Sequence, residues 1–205
     1  MDNQFSYSVP FESRLIKNIN IKKIDKISNI ALPCKSSFIE SSSLEDAKAL
    51  QTTSYFWGLN SAYSDNIADT AFRIAQLNAA HASIPKFLES YKNSKVFALT
   101  LQVDNFESLN SEKILGMVEV DEKVNNNIFI RHIQADPEEI FSRSRTYSQI
   151  GTEILNSLKG LYNKITVHPT KSKTVKHFYE INGFKACKDD SDFYEWSRPK
   201  SEWIM

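Results

Sequence analysis

The chain has 205 residues, 41% of them hydrophobic, so it is long enough to bury one sizeable core. Its 25 basic and 25 acidic side chains cancel, which argues against the broad basic surface of a nucleic-acid-binding protein. Two isolated cysteines, Cys34 and Cys187, are too few for a disulfide framework or a zinc site, so we expect no metal and a cytoplasmic location. No stretch approaches the roughly 20 apolar residues of a membrane span, and we expect no membrane contact.

The amino-terminal half predicts one strand and three helices, the last of them short and starting near Ile84–Pro85. Residues 15–30 alternate partly like a strand, and we expect a strand followed by a turn, with an edge element as the alternative. Ser43, with Asp46 at the third helical position, predicts a capped helix that ends near Phe56, and a second helix is expected over 65–80. Four aromatic residues between these helices are expected to form a cluster, either core or acceptor pocket: Tyr55, Phe56, Trp57 and Tyr63.

The middle of the chain predicts an antiparallel meander of three strands, at 95–103, 114–120 and 128–135. Strict alternation in the third strand assigns two opposite faces. One face is expected to carry Ile128, Ile130, His132 and Gln134, and the other Phe129, Arg131, Ile133 and Ala135. The strand is expected to end at Asp136–Pro137, because proline cannot donate a ladder hydrogen bond.

Residues 145–152, Arg-Thr-Tyr-Ser-Gln-Ile-Gly-Thr, predict a turn that opens an apolar-periodic helix. Gly151 would let the backbone approach a ligand closely, and the free N–H groups in a helix's first turn attract anions. The sequence therefore predicts a phosphate-binding loop rather than an ordinary helix start. A strand at 165–168 follows, and the ligand of such a strand–loop–helix–strand unit usually lies beyond the carboxyl ends of the strands.

A last helix is expected to carry Val175, Phe178 and Tyr179 on one face and to end at Gly183 in a left-handed cap. Together these landmarks resemble the GNAT N-acetyltransferase superfamily over residues 95–197. Three motifs carry the resemblance: Ile133-x-Ala135-x-Pro137 at the end of a central strand, the loop Gln149-Ile150-Gly151-Thr152, and Phe178-Tyr179-x-x-x-Gly183-Phe184.

The loop departs from the superfamily pattern Arg/Gln-x-x-Gly-x-Gly/Ala. Gln149 stands where the first glycine is expected, Arg145 is one place early, and Thr146 occupies the arginine's position. Glu138–Ser144 lengthen the connection, and Ser172 stands where many members carry asparagine. These differences affect the arginine's phosphate contact more than the backbone donors.

The resemblance implies an α/β (α+β) GNAT fold with a mixed central sheet. An antiparallel meander is followed by a splayed parallel pair, and helices flank the sheet. We expect a single domain over 1–205, in which residues 1–94 shape the acceptor side and residues 95–197 bind acyl-coenzyme A.

The resemblance also implies direct transfer of an acetyl group from acetyl-coenzyme A (acetyl-CoA) to an amine through a tetrahedral intermediate. The implied cofactor-binding residues are Ile133, Gln134 and Ala135 for the pantetheine arm, Arg145, Ser148, Gln149, Ile150, Gly151 and Thr152 for the pyrophosphate, and Ser172. Tyr179 is expected to act as the general acid for the departing thiolate; the alternative is that it only packs beside Phe178. For the general base Glu119 ranks first, ahead of His132 and His168, with a chain of waters as a further alternative.

The acceptor is an amine on a small molecule, a peptide or a protein, and the resemblance does not choose among them. A homodimer is one expectation, with the tail at 196–205 and its Trp203 as the contact. A different class of function keeps the fold but binds acyl-CoA or a partner without turnover. A toxin that acetylates charged transfer RNA fits the neutral charge balance poorly.

Overall fold

The computed structural model describes residues 14–58, 63–80, 84–141 and 145–199, and a mixed sheet of nine strands forms its centre. In chain order the strands are β1 (Arg14–Ile24), β2 (Ala31–Ser41), β3 (Ser94–Thr100), β4 (Ile114–Lys123), β5 (Asn127–Ala135), β6 (Tyr147–Ser148), β7 (Lys164–Val167), β8 (Lys185–Ala186) and β9 (Tyr194–Ser197). Their order across the sheet is β6-β1-β2-β3-β4-β5-β7-β9-β8. Among the described strands only β5 and β7 pair in parallel, so the predicted meander followed by a parallel pair is confirmed.

Helices flank the sheet on both faces. They are α1 (Leu44–Trp57), α2 (Ser64–Ala79), α3 (Pro137–Phe141), α4 (Ile150–Leu161) and α5 (Lys173–Ile181). Short 3₁₀ turns lie at 86–91, 111–113 and 124–126. Among the helices of the described ranges, none combines the length and the apolar character that crossing a membrane requires.

Two cores fill the space between the sheet and its helices, and β3 contributes to both. Phe97 and Leu99 pack with α4 and α5, whereas Val96 and Ala98 pack with α1 and α2. Because β3 is covered on both faces, its sequence is an almost continuous apolar run rather than an alternating one. We call these the α4–α5 side and the α1–α2 side of the sheet.

The predicted start of α1 is confirmed. The Ser43 hydroxyl accepts from the Asp46 N–H at 3.0 Å, and the Asp46 carboxylate accepts from the Ser43 N–H at 3.2 Å, which completes a capping box. The other Asp46 oxygen accepts from the Leu109 N–H at 2.9 Å. The cap therefore also ties α1 to the chain that leads into β4.

The strand and turn predicted within residues 15–30 form the first half of a hairpin. Asp25 accepts hydrogen bonds from the Ile27 and Ser28 N–H groups, which makes the turn between β1 and β2. The edge alternative also holds in part, because only Lys22 and Lys23 of β1 pair with the outermost strand β6.

The predicted aromatic cluster between α1 and α2 is confirmed only for Trp57 and Tyr63, which pack in the same core. Tyr55 and Phe56 are 83% and 72% exposed, whereas Trp57 is buried in the α1–α2 core. Tyr63 also stacks on His132, with ring centroids 5.1 Å apart. Successive helical residues point about 100° apart, so three aromatics in a row do not share a face.

The faces predicted for β5 are wrong in its second half, because the strand contains a β-bulge. Val120 of β4 pairs with Ile130 and Glu119 pairs with His132, so Arg131 is an extra residue. Ile130 before the bulge and Ile133 after it both pack on the α4–α5 side. The bulge thereby turns His132 to the α1–α2 side, opposite to Ile130.

The predicted left-handed end of α5 is confirmed. Gly183 has φ +79°, and its N–H donates to the Glu180 carbonyl at 2.9 Å. The next residue, Phe184, donates to the Tyr179 carbonyl at 3.0 Å and returns to the core. A glycine suits this position because it carries no Cβ to oppose a positive φ.

Candidate functional site

A gap opens in the sheet beside the second half of β5. β7 pairs with β5 only from Asn127 to Ile130, whereas β5 continues to Ala135. Within the described residues no strand pairs with residues 131–135 on the side away from β4. We call this space the β5 opening.

Main-chain groups of β5 face the β5 opening in alternation. The Asp136 N–H donates to the Leu115 carbonyl of β4 at 2.8 Å, so the N–H and C=O groups of Ile133 and Ala135 point away from β4. The Gln134 side chain donates to the Ala135 carbonyl at 2.7 Å, which leaves both groups of Ile133 directed at the opening. The main chain of Gln134 faces β4, so only its side chain is available to the opening, and its contact with a cofactor stays a prediction.

The predicted phosphate-binding loop leads into α4 through a left-handed residue. Ser148 pairs with Lys22 across the β1–β6 ladder, and Gln149 follows with φ +68° and no capping contact from its side chain. The first helical hydrogen bond runs from the Glu153 N–H to the Gln149 carbonyl at 2.9 Å. The N–H groups of residues 150–152 therefore have no acceptor within the helix.

Gly151 is required by helix packing rather than by an unusual backbone angle. A Cβ atom at this position would lie 3.0 Å from the ring of Phe178, so the glycine lets α5 approach α4 closely. The Ile150 side chain is buried in the core, and only its main chain faces the loop. Arg145 and Ser172 are both exposed, and Ser172 begins α5 without a side-chain capping bond.

Tyr179 lies on α5 and is 3% exposed, with its ring packed edge-on against Phe178 and Phe184. Burial raises the pKa of this phenol far above its ordinary value, because water cannot solvate the phenolate, and the Tyr63 phenol adds to the shift. Tyr63 belongs to the α1–α2 side. The two phenols therefore lie within electrostatic reach of each other, although their helices are on opposite faces of the sheet.

Glu119 and His132, predicted separately, form one hydrogen-bonded pair. Glu119 Oε2 lies 2.7 Å from His132 Nδ1, and the Thr70 hydroxyl donates to Glu119 Oε1 at 3.1 Å. The Glu119 side chain is 3% exposed and that of His132 is 28% exposed, so the imidazole is the member of the pair that solvent reaches. The Tyr63 ring stacks on the imidazole and fixes its plane.

A second buried carboxylate extends this polar network. Asp121 accepts from Arg131 Nε at 2.7 Å and from the Ser94 hydroxyl at 2.9 Å. The Asp121 carboxylate raises the pKa of the Arg131 guanidinium by its hydrogen bond. Arg131 also lies 3.9 Å from Glu119. Lys123 lies 3.8 Å from Asp121, so two cations offset the two carboxylates.

His168 does not join the pair. It is exposed, and its ring stacks on Phe193 with centroids 4.9 Å apart. Within the described ranges no group of three or more His, Cys, Asp or Glu side chains is arranged to hold a metal ion. Two predicted features, residues 142–144 of the lengthened connection and Trp203 of the tail, lie outside the described residues.

Several contacts at this site were not expected from the sequence. Glu139 Oε2 accepts from the Thr146 N–H at 2.6 Å and from the Tyr147 N–H at 2.7 Å, so a carboxylate of the chain binds the first part of the loop. The unusual length of the connection was the only signal for this contact. For Tyr63 and Thr70 no local pattern exists, because both meet their partners through the packing of α2 on the sheet.

No protein-family model matches the chain, and no curated protein matches it by sequence. Solved structures do align with it. A GNAT-family protein from Desulfovibrio desulfuricans is 12% identical with a TM-score of 0.48, and the alignment covers 79% of this chain and 98% of that one. The ribosomal-protein-S18-alanine N-acetyltransferase from Escherichia coli is 12% identical with a TM-score of 0.44, over 83% and 99% of the two chains. Campylobacter jejuni N-acetyltransferase PseH, solved in complex with acetyl coenzyme A, is 14% identical with a TM-score of 0.43, over 80% and 99%.

Proposed function

We propose that the chain, whose architecture is the one expected of the GNAT superfamily, is an N-acetyltransferase that moves an acetyl group from acetyl-CoA directly to an amine. The observation that supports this proposal is the presence of chemically suited groups around the second half of β5. His132 of β5 is hydrogen-bonded to Glu119 and stacked on Tyr63, and the same Tyr63 contributes to the raised pKa of the Tyr179 phenol. The N–H and C=O groups of Ile133, the residue after His132, face the β5 opening.

The residues present suit acetyl-CoA. The free N–H groups at the start of α4 and the positive end of its dipole favour a diphosphate. The N–H and C=O of Ile133 match the amide groups of a pantetheine arm, as a neighbouring strand would. Arg145, exposed at the start of the loop, is the proposed charge partner for a phosphate, and Ser172 at the start of α5 is a further proposed contact.

His132 is the proposed general base. When its proton is on Nδ1, that N–H donates to Glu119 and leaves Nε2 free to accept a proton from an amine. Glu119 ranked first from sequence alone, but it is enclosed by Thr70 and His132. We therefore assign Glu119 the role of orienting the imidazole and stabilising its charged form.

Tyr179 is the proposed general acid. Like any tyrosine the phenol holds its proton at neutral pH, and it can donate that proton to a thiolate leaving the thioester. Burial raises its pKa, so the phenol stays protonated to a higher pH but is a weaker acid than an exposed tyrosine. Acetyl-CoA supplies the thioester; the protein supplies the two proton-transfer groups and the main-chain donor of Ile133. An acceptor amine enters from the α1–α2 side, where solvent reaches the half-buried His132.

We also propose a single domain, a reducing cytoplasmic location and an amine acceptor on a small molecule, peptide or protein. The unpaired thiols of Cys34 and Cys187 support the location. One sheet that joins strands from both halves of the chain supports the single domain. The homodimer stays a prediction.

The second candidate function is binding of acyl-CoA without turnover. The observation that favours it is the altered loop, in which Gln149 stands where the superfamily pattern has a glycine and adopts a left-handed backbone. This candidate predicts saturable binding of acetyl-CoA and no chemistry at the β5 opening.

The two candidates are separated by incubating the protein with acetyl-CoA and a panel of amines while free thiol is measured. We expect amine-dependent thiol release that falls about 10²–10³-fold in Tyr179→Phe and by a similar factor in His132→Gln, because each change removes a proton-transfer group. His168→Gln is the matched control and should stay within about twofold of the unmodified protein, since His168 lies outside the pair. Saturable binding with no thiol release across the panel would favour the binder.

A further inference from the structure

We propose that Glu139 is a positioning residue for the cofactor: its carboxylate binds the loop before α4 and holds the start of that helix ready for a diphosphate. This inference rests on the proposed function for the identity of the ligand. The contact itself is a property of the protein without ligand.

The contact is short and charged. A single carboxylate oxygen of Glu139 accepts from two successive main-chain N–H groups, those of Thr146 and Tyr147, at 2.6 and 2.7 Å. Hydrogen bonds to an ionised acceptor are roughly twice as strong as neutral ones. Two amides of the loop are therefore occupied by an anion that belongs to the chain.

Glu139 is itself anchored to the end of β5. The Asp136 carboxylate accepts from the Glu138 N–H at 2.9 Å, and the Glu139 and Ile140 N–H groups donate to the Asp136 carbonyl. The Asp136 N–H is bonded to Leu115 of β4. Through α3, the end of β5 is thus connected to the 145–149 loop.

The loop is held from its other side by β1. The Ile24 N–H donates to the Thr146 carbonyl at 2.8 Å, and Tyr147 and Ser148 pair with Lys23 and Lys22. Glu139 accepts hydrogen bonds from N–H groups of the loop that do not bond to β1. The two sets of bonds together immobilise the three residues that precede Gln149.

Immobilisation matters because Gln149 has a left-handed backbone. A residue other than glycine keeps a positive φ only when its surroundings over-determine the conformation. With residues 146–148 fixed on one side and α4 on the other, the turn at Gln149 persists and the N–H groups of residues 150–152 stay aligned. The carboxylate also bounds the anion site, because it excludes phosphate oxygens from the Thr146 and Tyr147 amides.

The test compares Glu139→Ala with Glu138→Ala. The control removes the same charge from the neighbouring residue, whose side chain is exposed. We expect the Kd for coenzyme A, measured by calorimetry, to rise at least about tenfold in Glu139→Ala and less than about twofold in Glu138→Ala. Acetyl-CoA turnover should show a raised KM with kcat within about twofold, because Glu139 touches no reacting atom. Glu139→Gln keeps the size of the side chain and one neutral acceptor, so it should lose an intermediate amount of affinity for coenzyme A. This variant replaces Glu139→Ala in the test if Glu139→Ala does not fold.

A measurement without ligand separates this inference from the proposed function. Hydrogen exchange of the Thr146 and Tyr147 amides, followed by NMR in the free protein, should quicken at least about tenfold in Glu139→Ala and stay unchanged in Glu138→Ala. If the unmodified protein binds no coenzyme A, the proposed function fails whatever the exchange rates are. If coenzyme A binds equally to both variants, or if the two amides exchange at unchanged rates, the role of Glu139 is overturned.

Discussion

At the scale of single residues, Gln149 adopts a backbone conformation that glycine would accept without strain. Its φ of +68° lies where an L-residue's Cβ crowds the backbone, and its side chain makes no capping bond in return. The strain lies directly before the helix start that we assign to the diphosphate. Residues with a strained backbone conformation are common at ligand sites, where the surrounding structure maintains the strain.

Gln149→Gly should raise the free energy of unfolding by about 1 kcal/mol relative to Gln149→Ala. Both variants lose the same side chain, but only glycine relieves the positive φ. Chemical denaturation with a linear extrapolation measures the difference. Equal stability of the two variants would show that Gln149 is not strained.

Tyr179 leads to a prediction about pH. A raised pKa means that the phenol stays protonated, and therefore able to donate, at a pH where an ordinary tyrosine has begun to ionise. The ratio of turnover between the unmodified protein and Tyr179→Phe should stay constant from about pH 7 to pH 10. With an ordinary pKa near 10 the ratio would fall roughly twofold by pH 10, and that result would contradict the assigned environment.

At the scale of elements, α4 lies unusually close to β4. A Cβ atom on Gly116 would lie 2.8 Å from Ile154 Cδ1 and 2.9 Å from Ile150 Cγ2, and both isoleucine side chains are buried. The absence of a side chain at Gly116 sets how near the start of α4 comes to the end of β5. Close packing here therefore positions the site as well as stabilising the core.

Gly116→Ala should lower the free energy of unfolding by about 1–3 kcal/mol, because two buried side chains must move at once. Gly160→Ala, in α4 itself, is the control: a Cβ there meets nothing within 4 Å, so alanine should stabilise by about 0.5–1 kcal/mol. Thermal unfolding of the two variants tests whether their stabilities change in opposite directions. A Gly116→Ala variant as stable as the unmodified protein would argue that α4 can shift away from the sheet.

At the scale of the whole molecule, the last described strand completes the sheet. β9 lies between β7 and β8 and pairs with both. Tyr194 enters the α4–α5 core, and the Arg198 guanidinium donates to the carbonyls of Lys159, Gly160 and Tyr162 at the end of α4. A cation near the carboxyl-terminal end of a helix also interacts favourably with the helix dipole.

A chain that ends after Phe193 should therefore lose cooperative unfolding, because β8 loses the strand it pairs with and β7 loses one of its neighbours. Arg198→Ala, which removes only the contacts at α4, should cost about 1 kcal/mol and keep a single transition. Calorimetry distinguishes the two outcomes. A sharp transition in the shortened chain would mean that β9 is dispensable.

How much could be predicted from the sequence depended on how local each feature is. The capping box at Ser43 and the left-handed end at Gly183 involve residues a few positions apart, and both were correct. The apolar run of β3 also identified its strand, because burial on both faces leaves few polar residues.

Features set by distant contacts could not be predicted. β6 has only two residues, and Lys22 and Lys23 that pair with it lie more than 120 positions earlier. The bulge at Arg131 appears only in the register with β4, since the residues of β5 alternate without a break. The residue types of the Glu119–His132 pair were recognised, but not that they share one hydrogen bond.

The bulge at Arg131 has a consequence for how this site tolerates changes in length. Substitutions within β5 leave the count of residues intact, so the imidazole keeps its side of the sheet. Loss of a single codon at Arg131 would restore an uninterrupted alternation in which the imidazole directly follows Ile130, so it would stay on the α1–α2 side, opposite Glu119. The strand therefore tolerates the loss of this one residue in length, and what disappears is the contact of Arg131 with Asp121.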